Sequence, residues 1–298
     1  MKNKLFRSGF ISIIGRPNVG KSTLLNEILK EKLAIISNKP QTTRNRILGI
    51  RNTEQSQMIF IDTPGIHKPK NRLNEIMVKT AVDTLKEVDV VAFLVEAGDS
   101  AGVGDRYIID TFLNNVRVQV VLVINKIDLV KKENLLPLIG EYNHIRKFAE
   151  IIPVSALKGD NVEHLLNVLE GYLPEGPKYY PDDIYTDQPE RFIAAEIVRE
   201  KIINRTKEEI PYSVAVAIEE FKERENGNIY ISALIYVERD SQKGLIIGRA
   251  GRMLKDIGTE AREGIERLLG AKVFLELRVK VKKDWRSDNR VLKELGYE

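Results

Sequence analysis

Cysteine is absent from the 298 residues, which excludes a disulfide framework, a thiolate zinc site and a cysteine nucleophile. Long apolar runs are missing too. The longest, such as "VDVVAFLV" at residues 88–95 and "VQVVLVI" at 118–124, fall far short of the ~20 residues that a membrane-spanning helix needs. The opening "MKNKLFRSGFISIIGRPNVG" carries no signal-peptide apolar region or small-residue cleavage site, so a soluble, cytoplasmic protein without a transmembrane segment is expected. Neither internal repeats nor low-complexity tracts interrupt the chain, and no strong excess of one charge marks it. The formal net charge is +4, which permits an anionic partner without identifying one. That excess is not spread evenly. Between Arg239 and Arg290, fourteen basic residues stand against eight acidic ones, so the rest of the chain is slightly acidic.

What is present reads as two domains. Apolar residues make up 43% and charged residues 30% of the chain, ordinary values for a globular protein. Short apolar runs lie at residues 10–14, 58–61, 88–95, 118–124 and 151–154, and all but the third run directly into glycine, aspartate, asparagine or serine. Segments of helical periodicity lie between them, at 21–29, 73–85, 104–113, 135–148 and 162–173. Near-continuous apolar strands alternating with helices predict an α/β domain with a mostly parallel sheet and helices on both faces. Ligand chemistry should gather at the strand C-terminal ends. A stretch rich in proline and tyrosine at 172–192 breaks this rhythm. Domains are expected at 1–175 and 191–298, joined by a packed connection at 176–190. The second reads as a small α+β domain in the order helix, strand, strand, helix, helix, strand. Its hairpin turns at "ENGN", and its two later helices are placed at and after the glycine loop "GRAG".

"GRPNVGKS" at residues 15–22 fits G-x-x-x-x-G-K-[ST], follows a strand and opens a helix. Gly15, Arg16, Pro17, Asn18, Val19, Gly20, Lys21, Ser22 and Thr23 are therefore the candidate phosphate-binding set. Lys21 should reach the β and γ phosphates and Ser22 should ligate magnesium. "IDTPG" places Asp62 at a strand end to hold the magnesium shell, with Thr63, Pro64 and Gly65 behind it, and the Gly65 amide where it can sense the γ phosphate. "NKID" supplies Asn125, Lys126 and Asp128; the Asp128 carboxylate can accept from the donor edge of guanine, which adenine lacks. Ser155, Ala156 and Leu157 can close over the base. Each pattern is weak alone, and their shared order and strand-end placement is specific.

This set resembles a translation-factor-related GTPase, in which residues 39–47, "KPQTTRNRI", look like the first mobile switch. Thr43 is the preferred sensor of magnesium and γ phosphate, with Thr42 second. Position 66, where many GTPases carry a water-orienting glutamine, is isoleucine, so slow intrinsic hydrolysis is expected. The catalytic assignments are Lys21, Thr43, Gly65 and Asn18; the last rests on resemblance to GTPases with a hydrophobic residue at this position, some of which hold potassium through such an asparagine. His67 is a weaker candidate for placing water.

"GLIIGRAG" at residues 244–251 lacks the lysine and hydroxyl residue of the first loop, so a second triphosphate site is not expected. "GRAG" fits the G-x-x-G backbone clamp of a KH domain, beside an apolar groove for splayed bases. Lys243, Gly248, Arg249, Ala250, Gly251 and Arg252 are RNA-binding candidates. Ile246 and Ile247 join them as groove residues, with plain core packing as the alternative. Lys280, Lys282 and Lys283, flanked by Arg278 and Arg286, can attract phosphates. Trp285 is either a stacking platform or a packing residue.

Together with "PQTTR", "DTPG", "RFIAAEIVREKI" and "EIPYSVAV", these motifs closely resemble the Era family over nearly the whole chain. The resemblance implies a GTPase domain followed by a KH domain of the second topological type. It implies GTP or GDP, magnesium and, in some relatives, potassium as ligands. It further implies binding to the 3′ region of 16S ribosomal RNA, action in 30S subunit assembly, and a peripheral inner-membrane fraction in some members. A GTP-gated adaptor with negligible turnover and a GTPase acting only through protein contacts are the competing classes.

Overall fold

The structure, a computed structural model, describes residues 5–37, 39, 41–98, 100–225 and 227–297. Pro40 of the first-switch stretch, Asn226 of the expected hairpin turn and the early basic residues Lys2 and Lys4 lie outside them. The chain divides into two compact units. The first comprises Met1–Ala34, Thr43–Pro69 and Glu75–Asp187; the second comprises Ile35–Thr42, Lys70–Asn74 and Gln188–Glu298.

In the first unit six strands, β1 (Arg7–Gly15), β2 (Ile47–Asn52), β3 (Ser56–Asp62), β4 (Val90–Glu96), β5 (Gln119–Asn125) and β6 (Glu150–Pro153), form one sheet in the order β2-β3-β1-β4-β5-β6. All neighbours are parallel except β2, which pairs antiparallel with β3. The apolar runs of β4 and β5 follow from burial on both faces. Helices α1 (Lys21–Leu29), α2 (Arg72–Asp83), α3 (Val103–Thr111), α4 (Leu135–Ile145) and α5 (Val162–Tyr172) alternate with the strands; α2 begins in the part of the chain grouped with the second unit. Strand β2 was not expected. It is an edge strand, and Gly49 lies where an added Cβ would come within 2.6 Å of Leu29 Cδ1.

The proline- and tyrosine-rich stretch is packed against this sheet. Gln57 receives the amides of Tyr179 and Tyr180 at 2.7 and 3.0 Å and donates to the Tyr180 carbonyl at 2.8 Å. Tyr179 meets Phe10 edge-on with ring centroids 5.0 Å apart.

The second unit carries α6 (Glu190–Arg205), α7 (Ile210–Ser213), β7 (Ala215–Glu223), β8 (Ile229–Val237), α8 (Asp240–Ile247), α9 (Arg252–Leu269), β9 (Val273–Val281) and α10 (Asn289–Glu294). Its sheet runs β7-β8-β9, antiparallel then parallel. The expected helix placement is corrected here. Helix α8 precedes the "GRAG" loop, and α9 opens directly after it and runs unbroken through Gly258 to Leu269.

Residues Ile35–Thr42 are built into this unit. Ile35 is buried in a cluster with Ala194, Val198 and Ile202, the Lys39 ammonium caps the Ile203 and Thr206 carbonyls at the end of α6, and Arg199 Nη2 donates to the Thr42 carbonyl at 2.5 Å. Lys70–Asn74 likewise groups with it, with Arg72 Nε donating to Asn289 Oδ1 at 3.0 Å.

Candidate functional site

The phosphate loop curls where β1 ends. Gly15 presses on β4, where an added Cβ would sit 2.3 Å from the Leu94 carbonyl oxygen. Gly20 presses on Asn125, with a corresponding distance of 2.2 Å to Nδ2. Neither position accepts a side chain, which is the physical content of the two glycines in the pattern. Lys21 is buried, and its ammonium donates to the carbonyls of Arg16 and Gly15 at 2.8 and 3.3 Å.

Beside it, three oxygen donors converge. Ser22 Oγ donates to Asp62 Oδ2 at 2.7 Å and lies 2.8 Å from Thr43 Oγ1. Asp62 is fully buried, and its Oδ1 has no hydrogen-bond partner. A desolvated carboxylate oxygen is costly to leave bare, so this donor set fits a hard cation taking one carboxylate, hydroxyls and phosphate oxygens, as magnesium does. Among the described residues no cluster of three or more histidine, cysteine, aspartate or glutamate side chains offers an all-protein alternative. Thr42 turns away: its hydroxyl donates to the Lys39 carbonyl at 2.7 Å.

Burial pushes the Lys21 ammonium down to about 8, although the Asp62 charge works against it. Burial pushes the Asp62 carboxyl up to about 6, against the pull of Lys21 and Ser22. The raised Asp62 value means that its contribution to the ligand-free fold is lost as pH rises through about 6. The lowered Lys21 value means that its contribution is lost as pH falls through about 8. Between those values both groups are charged and desolvated, and a phosphate and a cation relieve both. The rise in melting temperature on adding magnesium and GDP should therefore be largest between about pH 6 and 8. It should shrink below pH 6, where protons compete for Asp62, and scanning calorimetry across pH, with Asp62→Asn as control, checks this.

Several candidate side chains have other work. Arg16 projects away from the loop to Asp105 on α3, Nε to Oδ1 2.7 Å. The Thr63 hydroxyl donates to the Ile13 carbonyl at 2.8 Å, and Val19 is a core residue. Asn125 braces the site. Its Nδ2 donates to the Val19 carbonyl at 2.8 Å and its Oδ1 receives the Ala156 amide at 2.9 Å, tying the phosphate loop to the loop after β6. Asp128 lies at the exposed mouth, where Ser155 Oγ donates to its Oδ1 at 2.6 Å. Lys126 pairs with Glu96 at 2.9 Å, and Leu157 is exposed nearby.

Ile66 is 1% exposed and packs among Ala97, Ala101 and Ile108. Its amide donates to the Gly15 carbonyl at 3.0 Å, and an added Cβ on Gly65 would fall 2.6 Å from Pro17 N. The Gly65–Ile66 turn thus rests directly on the phosphate loop. His67 Nδ1 lies 2.8 Å from the Gly65 carbonyl oxygen, folded back on its own turn.

In the second unit the "GRAG" loop joins α8 to α9. Gly248 has φ 71° and ψ 175°, a region open in practice to glycine alone, and an added Cβ would meet Met253 Cβ at 2.6 Å. Ala250 and Gly251 are also left-handed, at φ 53° and 74°, so three of the four residues curl the backbone outward. Arg249, Arg252, Lys243, Lys280 and Lys283 form no ion pair among the described residues, whereas Lys282 pairs with Glu294, Arg278 with Glu219 and Arg286 with Glu238.

The placement of Ile246 in the groove is corrected, and the alternative left open for Trp285 is decided. Ile246 is a core residue packed with Ile257 and Ile265, and only Ile247 keeps part of its surface. Leu245, not foreseen, is 58% exposed beside the loop; three consecutive apolar residues on a short helix cannot all face inward, which is the signal that marks it. Trp285 is buried and its Nε1 donates to the Ser213 carbonyl at 2.8 Å, so it packs rather than stacks on bases. Trp285→Phe should destabilise the second unit by about 1–3 kcal/mol through the orphaned carbonyl and leave nucleic-acid affinity unchanged, as denaturant titration and a binding isotherm would read.

Comparison with known proteins agrees with this geometry. Residues 10–126 match the family described as 50S ribosome-binding GTPase, and residues 209–286 match the KH domain. The chain is 59% identical over 298 residues to the GTPase Era of Geotalea uraniireducens and 57% identical to that of Geobacter metallireducens, with 100% of each chain covered. Among solved structures it is similar to Era in complex with MgGDPNP and nucleotides 1506–1542 of 16S ribosomal RNA, at 44% identity and TM-score 0.96 over 98% of this chain and 99% of the other. A point variant of Aquifex aeolicus Era bound to GDP and aluminium fluoride gives TM-score 0.95 at the same identity and coverage. The chain, with its P-loop GTPase unit and its KH unit, belongs to the Era family of GTPases.

Proposed function

We propose that this GTPase is a nucleotide-dependent switch that binds the 3′ region of 16S ribosomal RNA and assists assembly of the 30S subunit. One observation carries the reading. The same chain holds a Ser22, Thr43 and Asp62 donor set with an orphaned, buried carboxylate oxygen, and a Gly248–Gly251 loop whose arginine forms no ion pair among the described residues. Its relative of known structure binds MgGDPNP and a 16S fragment together.

Gly15 to Thr23 cradle the phosphates, with Lys21 on the β and γ groups. Ser22, Thr43 and Asp62 hold magnesium, which when bound neutralises charge developing on the transferred phosphoryl group. Gly65 senses the γ phosphate through its amide. Asp128 reads guanine, and Asn125 serves by bracing the loops around the base. Lys126, Ser155, Ala156 and Leu157 complete the mouth, and potassium at Asn18 belongs to the same proposal. Because Ile66 is buried and has no polar group to orient water, intrinsic hydrolysis is slow. Arg249 and Arg252 meet RNA phosphates with Lys243, Lys280, Lys282 and Lys283, while Ile247 borders the bases.

Localisation in the cytoplasm fits these ligands. No helix among the described residues is long and apolar enough to cross a membrane, and a peripheral membrane fraction rests on family resemblance alone.

RNA crosslinking with sequencing in the GTP and GDP states tests the whole reading. Enrichment at residues 248–252 and 280–283 is expected, stronger in one nucleotide state; its absence in both would overturn the RNA assignment.

A further inference from the structure

We propose that Asp105 is a positioning residue for nucleotide binding, acting through Arg16 to hold the phosphate loop in its curl from outside. Arg16 is the second residue of the loop, yet its side chain runs to α3. There Nε donates to Asp105 Oδ1 at 2.7 Å, and the Tyr142 hydroxyl donates to Oδ2 at 3.1 Å. Asp105 is 0% exposed. It lies in the first turn of α3, where the helix dipole also favours a negative charge.

The start of α3 is shaped around this pair. An added Cβ on Gly104 would meet Arg16 Cδ at 2.4 Å, and one on Gly102 would lie 2.9 Å from Asp105 Oδ2 and 3.1 Å from Arg16 Nη2. Two glycines in "AGVGD" thus leave the space that the Arg16 side chain fills at the start of the helix. A surface ion pair contributes little, but this one has a fully buried, doubly hydrogen-bonded acid, and its geometry is fixed from three sides.

The mechanical need comes from Lys21. Its ammonium has three donors, and two of them lie on the Arg16 and Gly15 carbonyls, cross-linking the loop from within. A nucleotide that takes contacts to both the β and γ phosphates draws at least one donor away. Arg16 is then held by Asp105, while the next residue, Pro17, bears the close contact with Gly65. The clamp therefore matters most when phosphate is bound, and its loss loosens nucleotide rather than the ligand-free fold.

This inference rests on the phosphate-binding reading of Gly15–Ser22. Dissociation of a fluorescent, non-hydrolysable GTP analogue by stopped flow, steady-state GTP hydrolysis and thermal melting of the ligand-free protein test it. For Asp105→Ala, dissociation of the triphosphate analogue and KM for GTP should each rise about tenfold, the scale of one charged hydrogen bond. At saturating GTP, kcat should stay within about twofold. Arg16→Ala should match it, and the double variant should be no worse than either single one, because both remove one interaction. Arg16→Lys should recover part of the loss, and Tyr142→Phe, which keeps the pair, should stay near wild type.

If Asp105→Ala does not fold, Arg16→Gln carries the same readout. A change in melting temperature with wild-type nucleotide kinetics, or single effects that multiply in the double variant, would overturn the proposal. Wild-type nucleotide affinity in Lys21→Ala would instead overturn the phosphate-loop reading, and this inference with it.

Discussion

Lys21→Ala should abolish detectable multiple-turnover GTP hydrolysis and weaken GDP and GTP binding by roughly 30- to 1000-fold, the scale of about 2–4 kcal/mol for a desolvated charged contact. The size follows from burial. Lys21 is enclosed at the base of the loop, and its charge is already disfavoured there, its value lying at about 8. A phosphate that arrives adds negative charge to that of Asp62, in a medium where water screens little. The same substitution strips Asp62 of its nearest cation, so the carboxyl should hold its proton to higher pH and magnesium should bind more weakly as well. Isothermal titration with GDP, with and without magnesium, reads both effects. A variant that bound GDP with less than threefold loss would contradict the placement of the phosphates on Lys21.

The second large effect is expected at the other end of the chain. Gly248→Asp should lower RNA affinity by about 30-fold or more while leaving KM for GTP within about twofold. Two costs combine: about 1–3 kcal/mol for a side-chain-bearing residue at φ 71°, ψ 175°, and the clash with Met253 at 2.6 Å. The carboxylate also meets an incoming phosphate. Arg249→Glu separates these causes, since it reverses charge without touching the turn. It should weaken binding by a salt-dependent amount and flatten the slope of log affinity against log salt by about one or two. Filter binding with a single-stranded RNA at several salt concentrations distinguishes the two variants.

Much of this was legible in the sequence for identifiable reasons. β4 and β5 announce themselves because strands buried on both faces are apolar throughout. Lys21, Ser22 and Asp62 were legible because backbone geometry ties them to strand ends. Strand β2 was not, since an edge strand reading "ILGIRN" ends in two polar residues and carries a glycine. Helix α8 escaped because its glycine and its three apolar residues blend into the loop that follows. The brace formed by Asn125 and the bond between Arg16 and Asp105 were invisible for a different reason. They join residues 106 and 89 positions apart, and nothing local in either segment encodes the partner. Ile246 and Leu245 show the same limit at shorter range: composition shows that one must face out, and only packing decides which.

Ile35, Lys39 and Thr42 carry a consequence for how the chain is made. They are anchored on α6 by contacts spanning 164 residues for Lys39 and 157 for Thr42. On the ribosome this short piece emerges early, and its partners Ala194, Val198 and Arg199 follow only after the whole of the first unit's sheet has been synthesised. The second unit therefore cannot be cut out cleanly at Gln188. A fragment starting there lacks the isoleucine that fills the core beside Val198 and Ile202 and the ammonium that caps α6, and it leaves the buried guanidinium of Arg199 without the Thr42 carbonyl.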